Sequence, residues 1–597
     1  MGQTIIEKII TNHSDAPVHP GDIVDVTIDT RLARDFGGAN VVKNLEEHGL
    51  DIDNRGSTFF TFDCNPGGSD QKYAANQQIC RLYARANEIM VYDIDSGIGT
   101  HVAIDEGLVL PGGTLVSTDS HANLVGAIGA FGQGMGDLDI AYAFARGKVW
   151  FKVPPTVRVT LRGRKPDLAT PKDIALFLLQ HFGAAGLLGS ACEIYGDAAE
   201  QLNLSGRITV ASLATEMGAI IILFPPDETI LGRARNAAQE QIAAVYADPD
   251  AAYQRQIDLD ITDLCPLISR PGHPDDVVPV SEVQGQKIDS AFIGSCTNGR
   301  YEDLEKVAKV LEGRRVAPGV VLKIVPATDA IWRRCLQEGL LAIFKKAGAL
   351  VGNAGCAGCA AGQIGQNGPG EVTVSTGNRN FPGKQGRGEV WLASPATAAA
   401  SAVAGHITAE DGIPSEPSIF RVSRTKPEKK EIPTAEQRPT RVKGRVWIIP
   451  QDNIDTDMIY HNRHLAVTDL SEMGQYAFGN LKGWEDFSTR VKPGEVIVTG
   501  RNFGCGSSRQ HAVDCFRALG VGVVIAGSFG AIYERNAINS GFPILTADLT
   551  QLNLQDGDEL EVDFLTGEIK KTGTGKIAKG VPFSAIQVAI YNRGSLL

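Results

Sequence analysis

Strand-like and helix-like stretches alternate along the first two thirds of this chain, and the alternation stops at a single charged, proline-bearing stretch. That pairing constrains the fold more than any other feature. Apolar, β-rich runs (IVDVTI, TLVST, TVRVTL, AIIILF, SAFIG, GVVLKIVPA) are separated by Ala/Leu-rich segments such as PKDIALFLLQHF and TDAIWRRCLQEGLLAIFKKAG. This order predicts an α/β architecture over 1–425. The stretch RVSRTKPEKKEIPTAEQRPTRVKG, at 421–444, has three prolines, many charges and almost no apolar residues, the composition of an exposed linker. After it, GRVWIIP, GEVIVTGRNF, GVGVVIAG and DELEVDFLTGEI predict a compact second unit of short strands and Gly-rich turns. The expected division is a large part at 1–425, a linker at 426–443 and a small part at 444–597. No internal repeat is visible.

At 597 residues the chain exceeds what one hydrophobic core supports, and its length suggests three to five domains. Lys+Arg 57 against Asp+Glu 69 gives −12, which argues against nucleic acid as a partner but leaves room for a local basic site for a small anion. No stretch approaches the ~18 apolar residues of a membrane span; AIIILF reads as a buried strand. The segment MGQTIIEKII lacks a signal-peptide or myristoylation pattern. Ten cysteines without regular spacing do not form a secreted disulfide framework, so a reducing compartment, the cytoplasm, is expected.

Four constellations carry chemistry. Cys296 lies in IGSCTN, and Cys356 and Cys359 form a C-x-x-C in GNAGCAGCAAG. Taken singly, each cysteine suits a small buried apolar position, and the pair suits a zinc half-site or a redox couple. A pair plus a distant single supplies three thiolates, one fewer than fully ligate an iron–sulfur cluster. A [4Fe-4S] cluster held by three cysteines keeps one iron open for Lewis-acid work. Zinc would need two more ligands, and the loop offers no His. Second, Asp119, Ser120 and His121 follow the strand GGTLVST directly, where α/β active sites form, although Asp and Ser there could instead cap a helix. Gly132, Gly134 and Gly136 do not match dinucleotide-fingerprint spacing. Third, TGNRNFPGKQG places Asn378, Arg379 and Lys384 after EVTVST, and a guanidinium offers the fork a carboxylate wants. Fourth, TGRNFGCGSSRQHA sets Ser507, Ser508 and Arg509 in a Gly-rich turn opening a helix, a place for an anion or for an activated serine base.

Taken in this order, IGSCTN, the later C-x-x-C, NRNF-x-G and GSSR-x-H resemble the aconitase and isopropylmalate dehydratase superfamily over nearly the whole chain. The resemblance implies a three-domain α/β/α large part plus a linker-tethered, swivelling β/α small domain, like a large and a small subunit fused. It implies that Cys296, Cys356 and Cys359 ligate the [4Fe-4S] cluster, that Ser507 removes the carbon-bound proton, and that Ser508 and Arg509 hold a carboxylate beside it. Arg379 and Lys384, flanked by Asn378, would grip the other carboxylate. Asp119, Ser120 and His121 match the family's Asp-Ser-His signature, with His121 serving the hydroxyl. His101 in GIGTHVAIDEG matches another active-site histidine after a one-residue shift, Glu216 in SLATEMG a carboxylate beside the iron-bound water, and Asp455, Thr456 and Asp457 a substrate-proximal motif.

Several positions depart from the family pattern. Cys64 follows Asp63 where relatives read Asp-His; Ser212 stands for a cluster-adjacent Asn, Arg34 for a Gln or Asn near the substrate, and Lys384 for an Arg. In the specificity loop IYHNRHLAVTD, Ala466 and Val467 replace a Tyr-Leu-Arg-like stretch, with Arg463 and His464 as displaced neighbours. The expected function is a hydro-lyase acting on a hydroxy di- or tricarboxylic acid. Citrate/isocitrate isomerisation ranks first, then 3-isopropylmalate, then homocitrate or another alkylmalate. A cluster-sensing RNA-binding regulator and a catalytically silent homologue are the competing classes. The implied partner is a small hydroxy-polycarboxylate, with neither membrane nor nucleic acid, in a monomer or homo-oligomer needing no separate small subunit.

Overall fold

The structure is a computed structural model that describes residues 2–65, 70–238, 242, 244–359, 363–420 and 438–596. It divides into two compact units, Met1–Ser423 and Arg424–Leu597. Most of the stretch read as a linker, 421–437, lies outside the described residues. Its expected end is corrected by the strand Arg441–Ile449, which begins inside 426–443. Two of the charges taken as linker polarity, Arg441 and Lys443, belong to a half-exposed strand. Arg441 and Lys443 face acids across an antiparallel ladder, with Arg441 Nε 2.7 Å from Asp563 and Lys443 Nζ 3.1 Å from Glu559.

The first unit is built on three main sheets and a two-stranded ribbon. One sheet has five strands, all parallel, in the order Met90–Tyr92, Thr58–Thr61, Thr30–Arg34, Thr114–Ser117, Phe131–Gly134. Thr30–Arg34, Thr58–Thr61 and Thr114–Ser117 are buried along their whole length, the pattern of a sheet covered on both faces. A second, four-stranded parallel sheet runs Ile221–Leu223, Ala191–Tyr195, Thr156–Arg162, Arg255–Asp260. The third has seven strands. Its parallel portion runs Glu389–Ala393, Val372–Ser375, Ser290–Ile293, Val321–Ile324, Leu350–Val351, and two short antiparallel strands finish it.

Helices pack between these sheets for reasons legible in their ends. Pro171–Phe182 starts on a capping box in which Thr170 and Asp173 exchange hydrogen bonds, with Pro at the first helical position. Pro395–Ala404 is buried throughout, as its all-small sequence permits. No helix among the described residues is long and apolar enough to cross a membrane.

The second unit holds one seven-stranded sheet. Ile544–Thr546, Val523–Ala526, Val496–Thr499 and Arg441–Ile449 are parallel, and Glu559–Asp563, Glu568–Lys571 and Ile577–Lys579 continue it as an antiparallel meander. An aromatic cluster of Trp447, Tyr460, Phe478, Phe487, Phe503, Phe516 and Tyr533 fills one face.

Candidate active site: a three-cysteine cavity

In a parallel sheet, loops that leave the carboxyl ends of adjacent strands converge at one edge. The seven-stranded sheet uses this twice. The strand Ser290–Ile293 leads into Ser295–Cys296, and its neighbour Val372–Ser375 leads into Asn378–Arg379. Ser295 has φ +68°, a left-handed conformation unusual for a residue with a Cβ. The C-x-x-C loop follows the edge strand Leu350–Val351, and it folds tightly: a Cβ on Gly358 would lie 2.8 Å from the Phe292 ring. These loops enclose a small cavity lined by Cys296, Cys356, Cys359, Asn378, Arg379 and Lys384. Six residues named from sequence are thus brought to one place.

All three thiols are free. Cys359 is held well below the usual thiol range, first by the hydrogen bond from Cys356 and then by Lys384 and His121, although burial opposes it. Lys384 therefore stands beside a cysteine, not only beside a prospective carboxylate. Cys296 Sγ lies 3.3 Å from Asn378 Oδ1, and Asn378 is fixed from behind by donating to the Ser212 carbonyl at 2.9 Å.

The second layer is a buried relay of charges. Glu216 Oε1 accepts from Arg379 Nε at 2.7 Å and contacts His121 Nε2 at 3.2 Å. Burial alone would raise its pKa, but His121 and Arg379 overcome that and hold it below the usual carboxylate range. Burial opposes charge on His121 too, yet Cys296 and Glu216 raise its pKa well above 6.5. Glu216 thus keeps Arg379 and His121 cationic and aimed. His101 behaves oppositely. It is wholly buried with Nε2 2.9 Å from the Cys296 carbonyl, and burial together with Arg300 pulls its pKa down to about 4. It is a neutral brace of the cysteine backbone.

The five-stranded sheet supplies a neighbouring set from the carboxyl ends of three adjacent strands: Arg34, Asp63 and Asp119. Arg34 Nε donates to Asp63 at 2.7 Å, and Nη1 reaches Asp119 at 3.1 Å. The backbone of this set is stitched to the cysteine loop, Cys356 N–H donating to the Asp63 carbonyl at 2.8 Å. Ser120 has an exposed side chain, and its carbonyl accepts from Thr215 Oγ1 at 3.3 Å.

Sequence reasoning missed Lys172. Fully buried, it donates to the carbonyls of Thr376 and Gly377 at 3.2 and 2.9 Å, fixing the loop that carries Asn378 and Arg379. Burial pulls its pKa down to about 8. A lysine on the apolar face of PKDIALFLLQHF was the only signal, and snorkelling explains most such lysines. Arg300 was also missed; it grips Asp105 in a two-point ion pair at 3.0 and 2.9 Å and ties the His101 helix to the Cys296 segment.

In the second unit, Ser507 and Ser508 are exposed on the loop between Val496–Thr499 and His511–Ala518. Thr456 Oγ1 donates to the Ser507 carbonyl at 3.1 Å, Asp455 caps the turn Thr456–Ile459, and Arg509 pairs with Asp457 and donates to the Tyr460 carbonyl at 3.0 Å. Gly504 is obligatory here: φ is +73° and a Cβ would meet the Tyr533 ring at 2.2 Å. His464 is stacked on Tyr476 at 3.9 Å, and Arg463 is exposed against His461.

Residues 7–405 match the family model described as the aconitase family (aconitate hydratase), and residues 425–550 match the aconitase C-terminal domain. The chain belongs to the aconitase family. It is a hydro-lyase of that family with an α/β fold, and it carries the C-terminal domain in the same chain. It is 41% identical over 412 residues to the 3-isopropylmalate dehydratase large subunit 1 of Methanopyrus kandleri, covering 68% of this chain and 99% of the relative. It is 39% identical over 419 residues to the homoaconitase large subunit of Thermus thermophilus, covering 70% of this chain and 99% of that one.

The cavity fits the cofactor this family implies. It is lined by three free cysteines, the thiolate donors that an iron–sulfur cluster takes. One of these thiols is already inclined to lose its proton, as a metal ligand must.

Proposed function

We propose that this aconitase-family hydro-lyase dehydrates and rehydrates a 3-substituted malate such as 3-isopropylmalate or homoisocitrate, in preference to isocitrate, in keeping with its relatives named 3-isopropylmalate dehydratase and homoaconitase. A [4Fe-4S] cluster bound by Cys296, Cys356 and Cys359 would supply a Lewis-acidic iron for a hydroxyl and its neighbouring carboxylate. The observation that carries the proposal is Arg379, anchored through Nε by buried Glu216 while it lines the three-cysteine cavity.

An arginine held by one edge keeps its terminal nitrogens for a ligand, and a carboxylate is the planar anion that matches them. Negative charge developing on that carboxylate as the neighbouring carbon loses a proton is stabilised by a donor already in place. His121 Nε2, beside Glu216, holds the proton that a departing hydroxyl needs. In the same proposal Ser507 takes the carbon-bound proton, and Arg509, fixed by Asp457, orients the serine loop. Lys172 contributes by holding the Thr376–Gly377 backbone so that Arg379 enters the cavity in one orientation.

The test is an anaerobic panel of 3-isopropylmalate, homoisocitrate and isocitrate, followed by ultraviolet absorbance of the unsaturated intermediate. The alkylmalates should give the highest kcat/KM. A preference for isocitrate would restore the citrate assignment, and no turnover of any hydroxy acid would remove the proposal.

A further inference from the structure

Six non-glycine residues among the described residues take a positive φ, and two of them are bonded to each other. Asn453 (φ +58°) and Asn502 (φ +57°) are left-handed, and Asn502 Nδ2 donates to Asn453 Oδ1 at 2.8 Å. Asparagine tolerates this backbone better than most residues with a Cβ, and non-glycine residues held there gather where a structure fixes something functional. Asn453 lies just beyond the strand Arg441–Ile449, and Asn502 just beyond its parallel neighbour Val496–Thr499. Each opens an excursion from the carboxyl edge of the sheet. The first leads to Asp455, Thr456 and Asp457, the second to Ser507, Ser508 and Arg509.

A ladder of hydrogen bonds joins the two excursions and runs out to the serine. Before the pair, Arg501 N–H donates to Asp452 Oδ1 at 2.6 Å and Asn453 N–H to the Arg501 carbonyl at 2.8 Å. After it, Gly504 N–H donates to the Ile454 carbonyl at 2.8 Å, Thr456 N–H to the Cys505 carbonyl at 2.9 Å and Thr456 Oγ1 to the Ser507 carbonyl at 3.1 Å. At Asn502 itself the backbone turns to a third loop: the N–H groups of Asn502 and Phe503 both go to Ser528, at 2.8 and 3.0 Å. At that level, among the described residues, the side-chain pair is the link between the two excursions. Neither amide group makes another hydrogen bond among them, so each can turn its oxygen and nitrogen round.

We propose that Asn453 and Asn502 are positioning residues, whose amide pair sets the spacing of the two excursions and through it the place of Ser507. This rests on the dehydratase reading above, in which Ser507 takes the carbon-bound proton. A base must sit within hydrogen-bond reach of its proton, and a misplacement of about 1 Å is costly. Ser507 is exposed, so its place is set through its backbone. A ladder that loses one rung is looser at its far end, where the serine stands. The pair is worth one ordinary hydrogen bond, so its loss should lower turnover about two- to tenfold and not abolish it.

Steady-state turnover of 3-isopropylmalate by cluster-loaded variants separates this role from a conformational one. Aspartate also accepts the left-handed backbone, and in Asn453→Asp or Asn502→Asp the remaining amide can turn and donate to the new carboxylate. Each single variant should therefore be rescued, with kcat within about twofold of wild type. The double variant sets two acceptors face to face with no donor, and its kcat should fall about tenfold below either single, with KM changing less. Asn502→Gly keeps the backbone, adds no charge and loses the bond; kcat should fall about two- to tenfold at an unchanged or raised melting temperature. Hydrogen–deuterium exchange over 503–508 should quicken in the double variant and in Asn502→Gly. A double variant as active as the singles, or kcat losses that track melting temperature, would assign the pair to backbone conformation or to folding and overturn the proposal. Unchanged exchange over 503–508 overturns it too. If wild type turns over no hydroxy acid, the dehydratase reading fails instead, and exchange alone decides whether the pair holds the serine loop.

Discussion

The cysteine cavity and the serine loop carry the same kind of sequence signal, a Gly-rich turn at the carboxyl end of a parallel strand, yet they are built differently. Around the cavity, Glu216, His121, Asp119 and Lys172 are buried and braced by one another or by backbone carbonyls. On the loop, Ser507 and Ser508 are exposed, and their position is set through the backbone and the half-buried Arg509. Buried charges bring steep losses when a partner is removed; exposed hydroxyls bring little to stability. Disruption should therefore separate the two regions, one losing structure and function together and the other losing function alone.

The largest separation is expected from the cysteines against the serine. Cys356→Ser or Cys359→Ser should lose both iron and turnover, whereas Ser507→Ala should keep its iron and its melting temperature and lose about 10²–10⁴ in kcat, read by metal analysis and steady-state kinetics. Equal iron loss in both would erase the distinction. Next, Glu216→Gln leaves Arg379 and His121 without their shared anion, and kcat/KM should fall about a hundredfold or more, with the larger part in kcat.

Smaller effects sharpen the stability side. Lys172→Met leaves two buried carbonyls without a donor and should lower stability by about 2–4 kcal/mol, seen in urea midpoints, with KM rising because Arg379 loses its fixed entry. A midpoint matching wild type would mean that the Thr376–Gly377 loop is held by other contacts. The smallest effect is a pH slope. Asp303, wholly buried, is pushed up to about 7 by desolvation despite hydrogen bonds from Asn298 and the Arg300 N–H. Its folded value exceeds the unfolded one, near 4, so its stabilisation is complete below about pH 4 and is lost as pH rises through 7. Asp303→Asn should flatten the stability profile between pH 5 and 7 by about 2 kcal/mol; an unchanged slope would assign it to other acids.

Much of this was legible before the structure. The alternation of apolar runs gave the parallel sheets, because strands buried on both faces read as unbroken Val/Ile/Leu stretches. The three cysteines, Asn378, Arg379 and Lys384 stood out because Gly-rich loops rarely hold such residues without a task. Other features were hidden for physical reasons. The first residues of the strand Arg441–Ile449, 441–443, looked like linker because their cross-strand acids lie more than a hundred residues away. Lys172 and Arg300 looked like ordinary helical charges, since burial is a property of packing and not of spacing.

The central claim is that Cys296, Cys356 and Cys359 hold one inorganic core with an iron left open. Its most direct test is iron and acid-labile sulfide measured together on anaerobically isolated protein. About four of each per chain, both lost in Cys359→Ser, is the expected result; stoichiometric zinc without sulfide would contradict it.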